Sequence, residues 1–391
     1  MKLRVPRWSE LSISTVFLAV FALFLLIFKL GSLTHGNLAA AEQPLPSVHA
    51  SVSALWQQPL NAPFTLVQLL VALILPTTGV GSSRLPAVLI GAAFLLLMYW
   101  LLRQWYGQRL TVFSMLLLVS TPWFLHVARL ATPDILYPLA MLTVLALGAL
   151  WHRTERPGWL LPFSAAVFAL LLYVPGAIWL SLILVVLRYR NVVGDSLTHK
   201  RLSMLSVVIW AVLIMPLLHW LLATHNLSRW LGYSGQWPGV LHYLHDFVAV
   251  WFHIFIGHWQ QPLYNVGGMP VIDIAMTIGF LVGLYLYAEH LRAPRTRFLV
   301  LLWLAATALI ALPGGAHLSL LLPIVVVFVT GGLGYLLHRW LKVFPRNPLA
   351  RGFGMTLIFL VVAFAVLYNL VNYYEAWPHN LEAEQTFSRQ L

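Results

Sequence analysis

Residues 84–129 read RLPAVLIGAAFLLLMYWLLRQWYGQRLTVFSMLLLVSTPWFLHVAR and contain two apolar runs, 84–102 and 110–127, joined by a short basic turn. Each run is close to the ~20 residues that an α-helix needs to cross the hydrocarbon core of a bilayer. Arg129 and then Asp134 follow the second run closely. Charges at the edge of a bilayer are energetically expensive and commonly functional. The stretch therefore predicts a helical membrane protein with polar residues of interest where the second helix emerges.

The composition of the whole chain supports a membrane protein. Hydrophobic residues make up 60% of the 391 residues and charged residues only 9%, against roughly 45 to 50% and 25% in soluble proteins. The net charge of +12 could suggest nucleic acid, but the basic residues form short clusters between apolar runs. We interpret these clusters as topology signals, so no nucleic acid is expected as a partner. The chain has no cysteine, which excludes disulfides and thiolate chemistry.

Hydropathy predicts an all-α polytopic protein with about eleven transmembrane helices in a single transmembrane domain, 1–391. The first apolar run follows a basic head, as in a signal peptide, but it is long and KLGSLTHGN offers no cleavage site, so it is predicted to be retained. A further run at 63–81, PFTLVQLLVALILPTTGVG, is ambiguous. The predicted spans are 11–30, 84–102, 110–127, 134–151, 159–173, 175–188, 203–223, 270–288, 298–312, 317–337 and 353–373.

The positive-inside rule decides whether the run at 63–81 crosses the membrane. If this run lies at the outer interface or re-enters, all but five of the 23 Lys and Arg residues face the cytoplasm. If it crosses, most of them face outward. We therefore expect a multi-pass cell-membrane protein with a cytoplasmic N-terminus and an outer C-terminus. Its outward segments are the first outer loop at 31–83 with interfacial helices, a short loop near 128–134, a second large loop at 224–269 and the tail at 374–391.

The outer face carries the acidic residues that are candidates for chemistry. Glu42 is the only acidic residue between the first span and Asp134, and a lone carboxylate there suits a general base or a metal ligand, unless it is a solvated or capping residue. Thr132 or Asp134 could cap the next helix, and Asp134 could also face a site. Asp273 lies in the first turns of a span, where a site or a structural contact would supply the partner it needs.

Two outer arginines and the outer histidines complete the candidate set. Arg84 and Arg129 lie at span ends, where their forked donors suit a phosphate, although arginines there also extend toward lipid headgroups. His35 shares the first outer loop with Glu42. The segment HYLHDFVAVWFHIFIGHW at 242–259 resembles a metal box, but its interleaved aromatic residues favour an amphipathic interfacial helix.

The order of these features resembles the GT-C membrane glycosyltransferases, especially relatives of the protein-mannosyltransferases and aminoarabinose transferases. The likeness rests on NAPFTLVQLL in the first outer loop, on the Arg-Leu-Pro start and Ser-Thr-Pro ending of 84–129, and on the acid Asp134 that follows. The motifs LLLYVPGAIWL and GGMPVIDIAMTIGFLVGL are similar to the family's Tyr-Pro span and its late Pro-x-x-Asp span start. The resemblance covers most of the chain and is strongest over 84–190.

The resemblance implies transfer of a sugar from a polyprenyl-phosphate donor to an acceptor glycan, lipid or protein on the outer face. Glu42 would be the first-loop catalytic acid and Asp134 the second-loop one, with Arg84, Arg129, His35 and Asp273 as substrate or phosphate contacts. The family usually has an Asp, often in an acidic pair, where this chain has LAAAEQP. This departure leaves open a divergent acceptor, a metal-independent variant or an inactive descendant.

Two other functions fit the sequence. A non-catalytic protein could keep the fold and bind a lipid or a protein partner. A transporter fits less well because acidic residues within the spans and broken, repeated helices are scarce. A divalent metal is compatible with the sequence but not required by it.

Overall fold

The helices of this chain follow the apolar runs of the sequence. A computed structural model describes residues 13–34, 36–75, 79–153, 156–233, 237–257, 263–264 and 269–388. Within these ranges the protein is helical and has no strand. The α-helices, α1 to α17, are Ile13–Ile27, Val48–Gln57, Ala62–Ile74, Val80–Tyr106, Gln108–Ser120, Pro122–Arg129, Leu136–Leu150, Leu160–Leu171, Ala177–Thr198, Lys200–Thr224, Leu227–Leu231, Val240–Phe255, Ile274–Glu289, Pro294–Ile310, Leu322–Val343, Pro348–Val371 and Leu381–Ser388.

Every predicted span contains a helix, although 110–127 is divided between α5 and α6, and the number of spans is not confirmed. Within the described ranges, six helical stretches are long and apolar enough to cross a membrane. The bent pair α5 and α6 makes a seventh if it is one span. Helices such as α8, with 12 residues, are about 18 Å long, which is less than the ~30 Å of the hydrocarbon core. The six stretches are Val80–Tyr106, Pro133–Trp151, Ala177–Thr198, Lys200–Thr224, Leu318–Val343 and Pro348–Ala376.

Within the ambiguous run at 63–81, the described residues form the short helix α3, which ends at Ile74, and the first residues of α4. With 13 residues, α3 is about 20 Å long and does not match the thickness of the hydrocarbon core. It begins after Asn61, which has a left-handed backbone with φ of 65°, and the Asn61 N–H donates to the carbonyl of Tyr173 at 2.8 Å. The first outer loop is thereby attached to the break between α8 and α9. Its placement at the interface remains a prediction.

A break between α5 and α6 turns the chain toward the interior. Thr121 precedes Pro122 and adopts an extended backbone, as expected for a residue before proline. The Thr121 side chain accepts a hydrogen bond from Trp123 N at 3.1 Å, so a new helix starts at once, bent by 64° from the preceding one. Residues 123–129 of α6 are all buried. The bend therefore carries Arg129 and the residues after it into the protein.

The centre of the bundle is formed by α15, with α4 and α7 beside it. In the membrane-length stretch that contains α15, 78% of the apolar window is buried, against 11% for α10. The exposed sides of α10, α9 and α16 carry large apolar residues, which suits contact with lipid. The buried Ser319, just before α15, and Thr330 within it consequently lie inside the bundle.

Glycines bring α13 and α15 into backbone contact. A Cβ added at Gly332 would lie 2.0 Å from the carbonyl oxygen of Gly279, and one at Gly283 would lie 1.9 Å from that of Phe328. Gly279 and Gly283 form a Gly-x-x-x-Gly pattern, which is typical of closely packed membrane helices. At these glycines the two helices therefore pack backbone against backbone.

The substitution Gly332→Ala should destabilise the protein by about 1 to 3 kcal/mol, because the added methyl group forces α13 and α15 apart. Gly352→Ala on α16 is the matched control, since a Cβ there meets nothing within 4 Å. Thermal unfolding of both variants in lipid nanodiscs measures the difference. Equal melting temperatures for the two variants would contradict this packing.

The absence of native cysteines allows a direct test of the predicted sidedness. The exposed residues Gln57 and Lys200 lie on the predicted outer and cytoplasmic sides, respectively. In intact cells, a membrane-impermeant maleimide should label Gln57→Cys and leave Lys200→Cys unlabelled until the membrane is opened. The reverse labelling pattern would show that the topology is inverted.

Candidate active site

A buried ion pair joins the first outer loop to the start of α4. The Glu42 side chain is fully buried, and the Arg84 side chain is 3% exposed. Arg84 Nε donates to Glu42 Oε1 and Arg84 Nη2 to Oε2, both at 2.8 Å. The backbone N–H groups of Ala131 and Ala39 complete the set, at 2.9 Å from Oε1 and Oε2 respectively. The carboxylate of Glu42 therefore accepts four hydrogen bonds.

The remaining contacts of Arg84 also belong to the first outer loop. Nη1 donates to the carbonyl of Leu30 and Nη2 to Thr34 Oγ1, both at 2.9 Å. The ring of Phe387, from the C-terminal segment, lies over the guanidinium at 5.9 Å. Arg84, predicted to contact phosphate, is thus neutralised by Glu42 and held by the loop in this structure.

Asp134 lies on the same side of the protein, close to the Glu42–Arg84 pair. It is three residues beyond Ala131, so their Cα atoms are at most about 11 Å apart. Neither Thr132 nor Asp134 caps a helix through its side chain. Instead, Asp134 is half-buried, and its Oδ2 accepts a hydrogen bond from the phenol of Tyr264. The structure therefore brings the two predicted catalytic acids into one region.

Tyr264 and His317 surround Asp134 and were not predicted as site residues. Burial raises the pKa of Tyr264 well above its ordinary value, and the nearby Asp134 carboxylate raises it further, so the phenol keeps its proton and donates. The rings of Tyr264 and His317 meet edge to face at 4.6 Å. His317 Nδ1 accepts from the N–H of Ser319 at 3.2 Å, and Ser319 Oγ donates to the Asp134 carbonyl. These residues are far apart in sequence, and no spacing pattern links them.

Arg129, the second predicted phosphate contact, is buried without a carboxylate. It is 2% exposed, so it does not extend toward lipid headgroups. Nη2 donates to the carbonyl of Phe28, and Nη1 donates to Tyr374 Oη at 3.1 Å. The guanidinium also lies over the rings of Tyr373 and Tyr374, at 5.1 and 5.3 Å. Arg129 is thus held by neutral groups from the residue just after α1 and from the C-terminal segment.

Asp273, another predicted substrate contact, makes structural contacts in the part of the chain that the structure describes. Asp273 caps α13, with Oδ1 accepting from Met276 N at 2.8 Å, and its Oδ2 accepts from Asn369 Nδ2 at 2.7 Å. The sequence left open whether Asp273 belongs to a site or makes a structural contact, and in the structure it makes structural contacts. His35 lies outside the described residues, so its role remains a prediction.

The described ranges contain no group of three or more His, Asp or Glu residues that could hold a metal ion. On α12, His242 and His245 lie 3.4 and 3.1 Å from the carboxylate of Asp246. The side chains of both histidines are largely exposed. This arrangement fits the water-facing side of an amphipathic helix.

An apolar groove of about 690 Å³ opens between α9, α12 and α14. Two of its polar-tipped residues hydrogen-bond to the backbone: Trp179 Nε1 donates to the Leu231 carbonyl at 3.1 Å, and Tyr243 Oη donates to the Ala308 carbonyl at 3.2 Å. The groove therefore presents apolar surface almost throughout. Its other lining residues include Leu182, Val186, Tyr233, Trp237, Leu309 and Leu312.

Comparisons with known proteins relate this architecture to glycosyltransferases. The family model of dolichyl-phosphate-mannose-protein mannosyltransferases matches residues 59–220. The crystal structure of ArnT from Cupriavidus metallidurans bound to undecaprenyl phosphate is 16% identical, with a TM-score of 0.56 over 96% of this chain and 77% of that one. The chain has the GT-C fold.

A second GT-C structure supports this assignment. The apo oligosaccharyltransferase from Archaeoglobus fulgidus is 12% identical, with a TM-score of 0.52 over 95% of this chain and 56% of that one. This chain therefore spans little more than half of the oligosaccharyltransferase. No curated protein sequence matches the chain. The predicted GT-C resemblance and the all-α membrane fold are confirmed, whereas the roles of the individual site residues remain predictions.

Replacing one member of the buried pair should be costly for stability. Glu42→Gln leaves the Arg84 charge buried without its carboxylate, so we expect a loss of about 3 to 5 kcal/mol. The double variant Glu42→Gln, Arg84→Gln removes both charges and should recover part of that loss. Thermal unfolding in nanodiscs measures both, with Glu382→Gln at an exposed position as the control. A single Glu42→Gln variant as stable as the wild type would contradict a structural role for the pair.

Proposed function

We propose that this protein transfers a sugar from a polyprenyl-phosphate donor to an acceptor hydroxyl on the outer face of the membrane. The observation that carries the proposal is the Asp134 carboxylate, half-buried at the outer end of the central helices of a GT-C fold. The solved ArnT structure contains undecaprenyl phosphate, which supports a lipid phosphate as the donor's carrier. The apolar groove supports the same class of donor, because it suits a long hydrocarbon chain.

Asp134 is better placed than Glu42 to accept a proton. The four hydrogen bonds to Glu42 occupy both of its oxygens, and a new proton would have to displace one of them. Asp134 has its Oδ2 held by Tyr264, while Oδ1 accepts no hydrogen bond from the described residues. We infer that Asp134 is the general base and that Glu42 is a positioning residue, because it holds Ala131 and thereby the loop that carries Asp134.

The proposed reaction is a single displacement at the anomeric carbon. The acceptor hydroxyl oxygen forms a bond to this carbon while its proton moves to Asp134 Oδ1. The bond between the anomeric carbon and the phosphate oxygen breaks, and the electron pair leaves with the polyprenyl phosphate. Tyr264 keeps Asp134 oriented by donating to its other oxygen, and positive groups would stabilise the leaving phosphate.

Arg229 is a cation close to the groove and in electrostatic contact with a residue beside Asp134. It belongs to α11, two residues before Leu231, which lines the groove. Arg229 and Asp134 both interact electrostatically with Tyr137. A donor whose isoprenoid chain lies in the groove would therefore have a cation for its phosphate beside the base. This placement gives the donor a lipid-facing entrance and a polar end at the outer surface.

Asp134→Asn should reduce sugar transfer by about 10²-fold to 10⁴-fold, the range that a general base contributes, without loss of stability. Asp246→Asn, on the exposed face of α12, is the matched control and should be fully active. The assay follows radiolabel transfer from a polyprenyl-phosphate sugar in proteoliposomes, together with the melting temperature of each variant. Glu42→Gln should lose stability along with activity, and Glu42→Asp should restore part of both.

Two results would overturn this assignment. Full transfer by Asp134→Asn, with transfer lost in a stable Glu42→Gln variant, would make Glu42 the base. If the wild-type protein binds undecaprenyl phosphate but transfers no sugar from any polyprenyl-phosphate donor tested, the protein is a non-catalytic lipid-binding member of the fold.

A further inference from the structure

His317 makes two different contacts close to Asp134. It directly precedes the 3₁₀ turn Leu318–Leu321, which leads into α15. Its Nδ1 accepts from the N–H of Ser319 at 3.2 Å and so caps this turn. Its ring also meets the Tyr264 ring edge to face, with the ring centroids 4.6 Å apart. One side chain therefore caps the turn before α15 and packs against the residue that donates to Asp134.

Capping alone does not account for a histidine at position 317. Ser, Thr, Asp and Asn are the preferred capping residues, because each offers a short side-chain acceptor to the N–H groups of the first turn. A histidine can accept through Nδ1 only when this atom lacks a proton, so the capping contact assigns the proton of the neutral ring to Nε2. The imidazole also supplies an aromatic ring, which none of the usual capping residues has. Position 317 thus combines an acceptor and a ring in one side chain.

The orientation of the Tyr264 ring decides whether its hydroxyl reaches the Asp134 carboxylate. Tyr264 is buried, and its hydroxyl donates to Asp134 Oδ2. Because the hydroxyl stands at the far end of the ring, a small rotation of the side chain would displace it, and hydrogen bonds weaken steeply when they are misaligned. Edge-to-face packing is a preferred arrangement of aromatic rings. The His317 ring therefore restrains the rotation that would break the contact with Asp134.

Ser319 attaches the backbone of Asp134 to the same turn. Its side chain is fully buried, and its Oγ lies 2.8 Å from His317 Nδ1. The same Oγ donates to the Asp134 carbonyl at 3.3 Å. Asp134 is consequently held at two points, at its carboxylate by Tyr264 and at its backbone by Ser319. His317 contacts both of the residues that hold it.

We propose that His317 is a positioning residue that fixes the Tyr264 ring and thereby keeps Asp134 Oδ2 engaged and Oδ1 available to the acceptor hydroxyl. This role rests on the proposed function, because it requires that Asp134 is the general base. His317 takes no proton itself. A general base acts only within hydrogen-bond reach of the proton that it removes, so loss of the His317 ring should slow proton transfer without weakening donor binding.

Two substitutions separate the ring of His317 from its acceptor atom. His317→Asn keeps a capping acceptor and removes the ring, so kcat should fall about 10-fold to 10²-fold, the upper figure being the cost of a misplacement of about 1 Å. KM for the donor should stay unchanged. His317→Phe keeps a ring against Tyr264 and removes the cap, so it should retain more of the wild-type kcat but have the lower melting temperature of the two variants. Activity and stability should therefore rank the two variants in opposite orders.

A double-mutant cycle shows whether His317 acts through Asp134. Without the base, the orientation of the side chain at position 134 no longer affects proton transfer, so adding His317→Asn to Asp134→Asn should lower the residual transfer no further. The constants kcat and KM are measured with the full chain in proteoliposomes, by radiolabel transfer from a polyprenyl-phosphate sugar, and melting temperatures are measured in nanodiscs. His290→Asn, at an exposed histidine, is the control and should match the wild type in activity and stability.

Three results would refute this role of His317 while leaving the proposed function intact. The first is equal kcat for the wild type and His317→Asn. The second is a kcat that follows stability, with His317→Phe lower than His317→Asn in both. The third is a further loss of transfer when His317→Asn is added to Asp134→Asn. The proposed function fails on different observations, namely full transfer by Asp134→Asn or no transfer by the wild type, and either would also overturn the role of His317.

Discussion

The end of the protein that carries Asp134 depends on the buried ion pair between Glu42 and Arg84. Removing two charges from water costs several kcal/mol per ion, which an ion pair offsets only with good geometry and further hydrogen bonds. Here the carboxylate has four donors, two from Arg84 and two from backbone N–H groups. The main effect of the pair is therefore to hold the residues around it in a fixed arrangement. It fixes the first outer loop against α4 and against Ala131, and the position of Asp134 follows.

The sequence predicted the elements of this structure well because their causes are local. Apolar run length gives the helices. The break at Thr121-Pro122 also has a local cause, proline's effect on the residue before it, but the run 110–127 was predicted as one span and the break was missed. The Gly-x-x-x-Gly pattern of α13 is likewise present in the sequence, although only the structure shows that Gly332 is its partner. The ends of membrane helices depend mainly on hydropathy, and hydropathy can be calculated from a single sequence.

The arrangement of the site could be predicted only in part. Charge counting and the GT-C resemblance placed Glu42, Asp134, Arg84 and Arg129 on one face. Which arginine pairs with the acid depends on contacts between residues 42 positions apart, and Tyr264 reaches Asp134 across 130 positions. Such contacts are decided by how helices pack. A single sequence therefore identified the charged groups without showing that one arginine is compensated and the other is not.

The close backbone packing of α13 and α15 limits how these two helices can move. At Gly283 and Gly332 the backbone of one helix lies where a Cβ would clash with the other, so sliding one helix past the other would bring larger residues into those contacts. His317 and Ser319, which precede α15, contact the Tyr264 ring and the Asp134 carbonyl, respectively. The surroundings of Asp134 are therefore attached to the part of the bundle that is least able to shift.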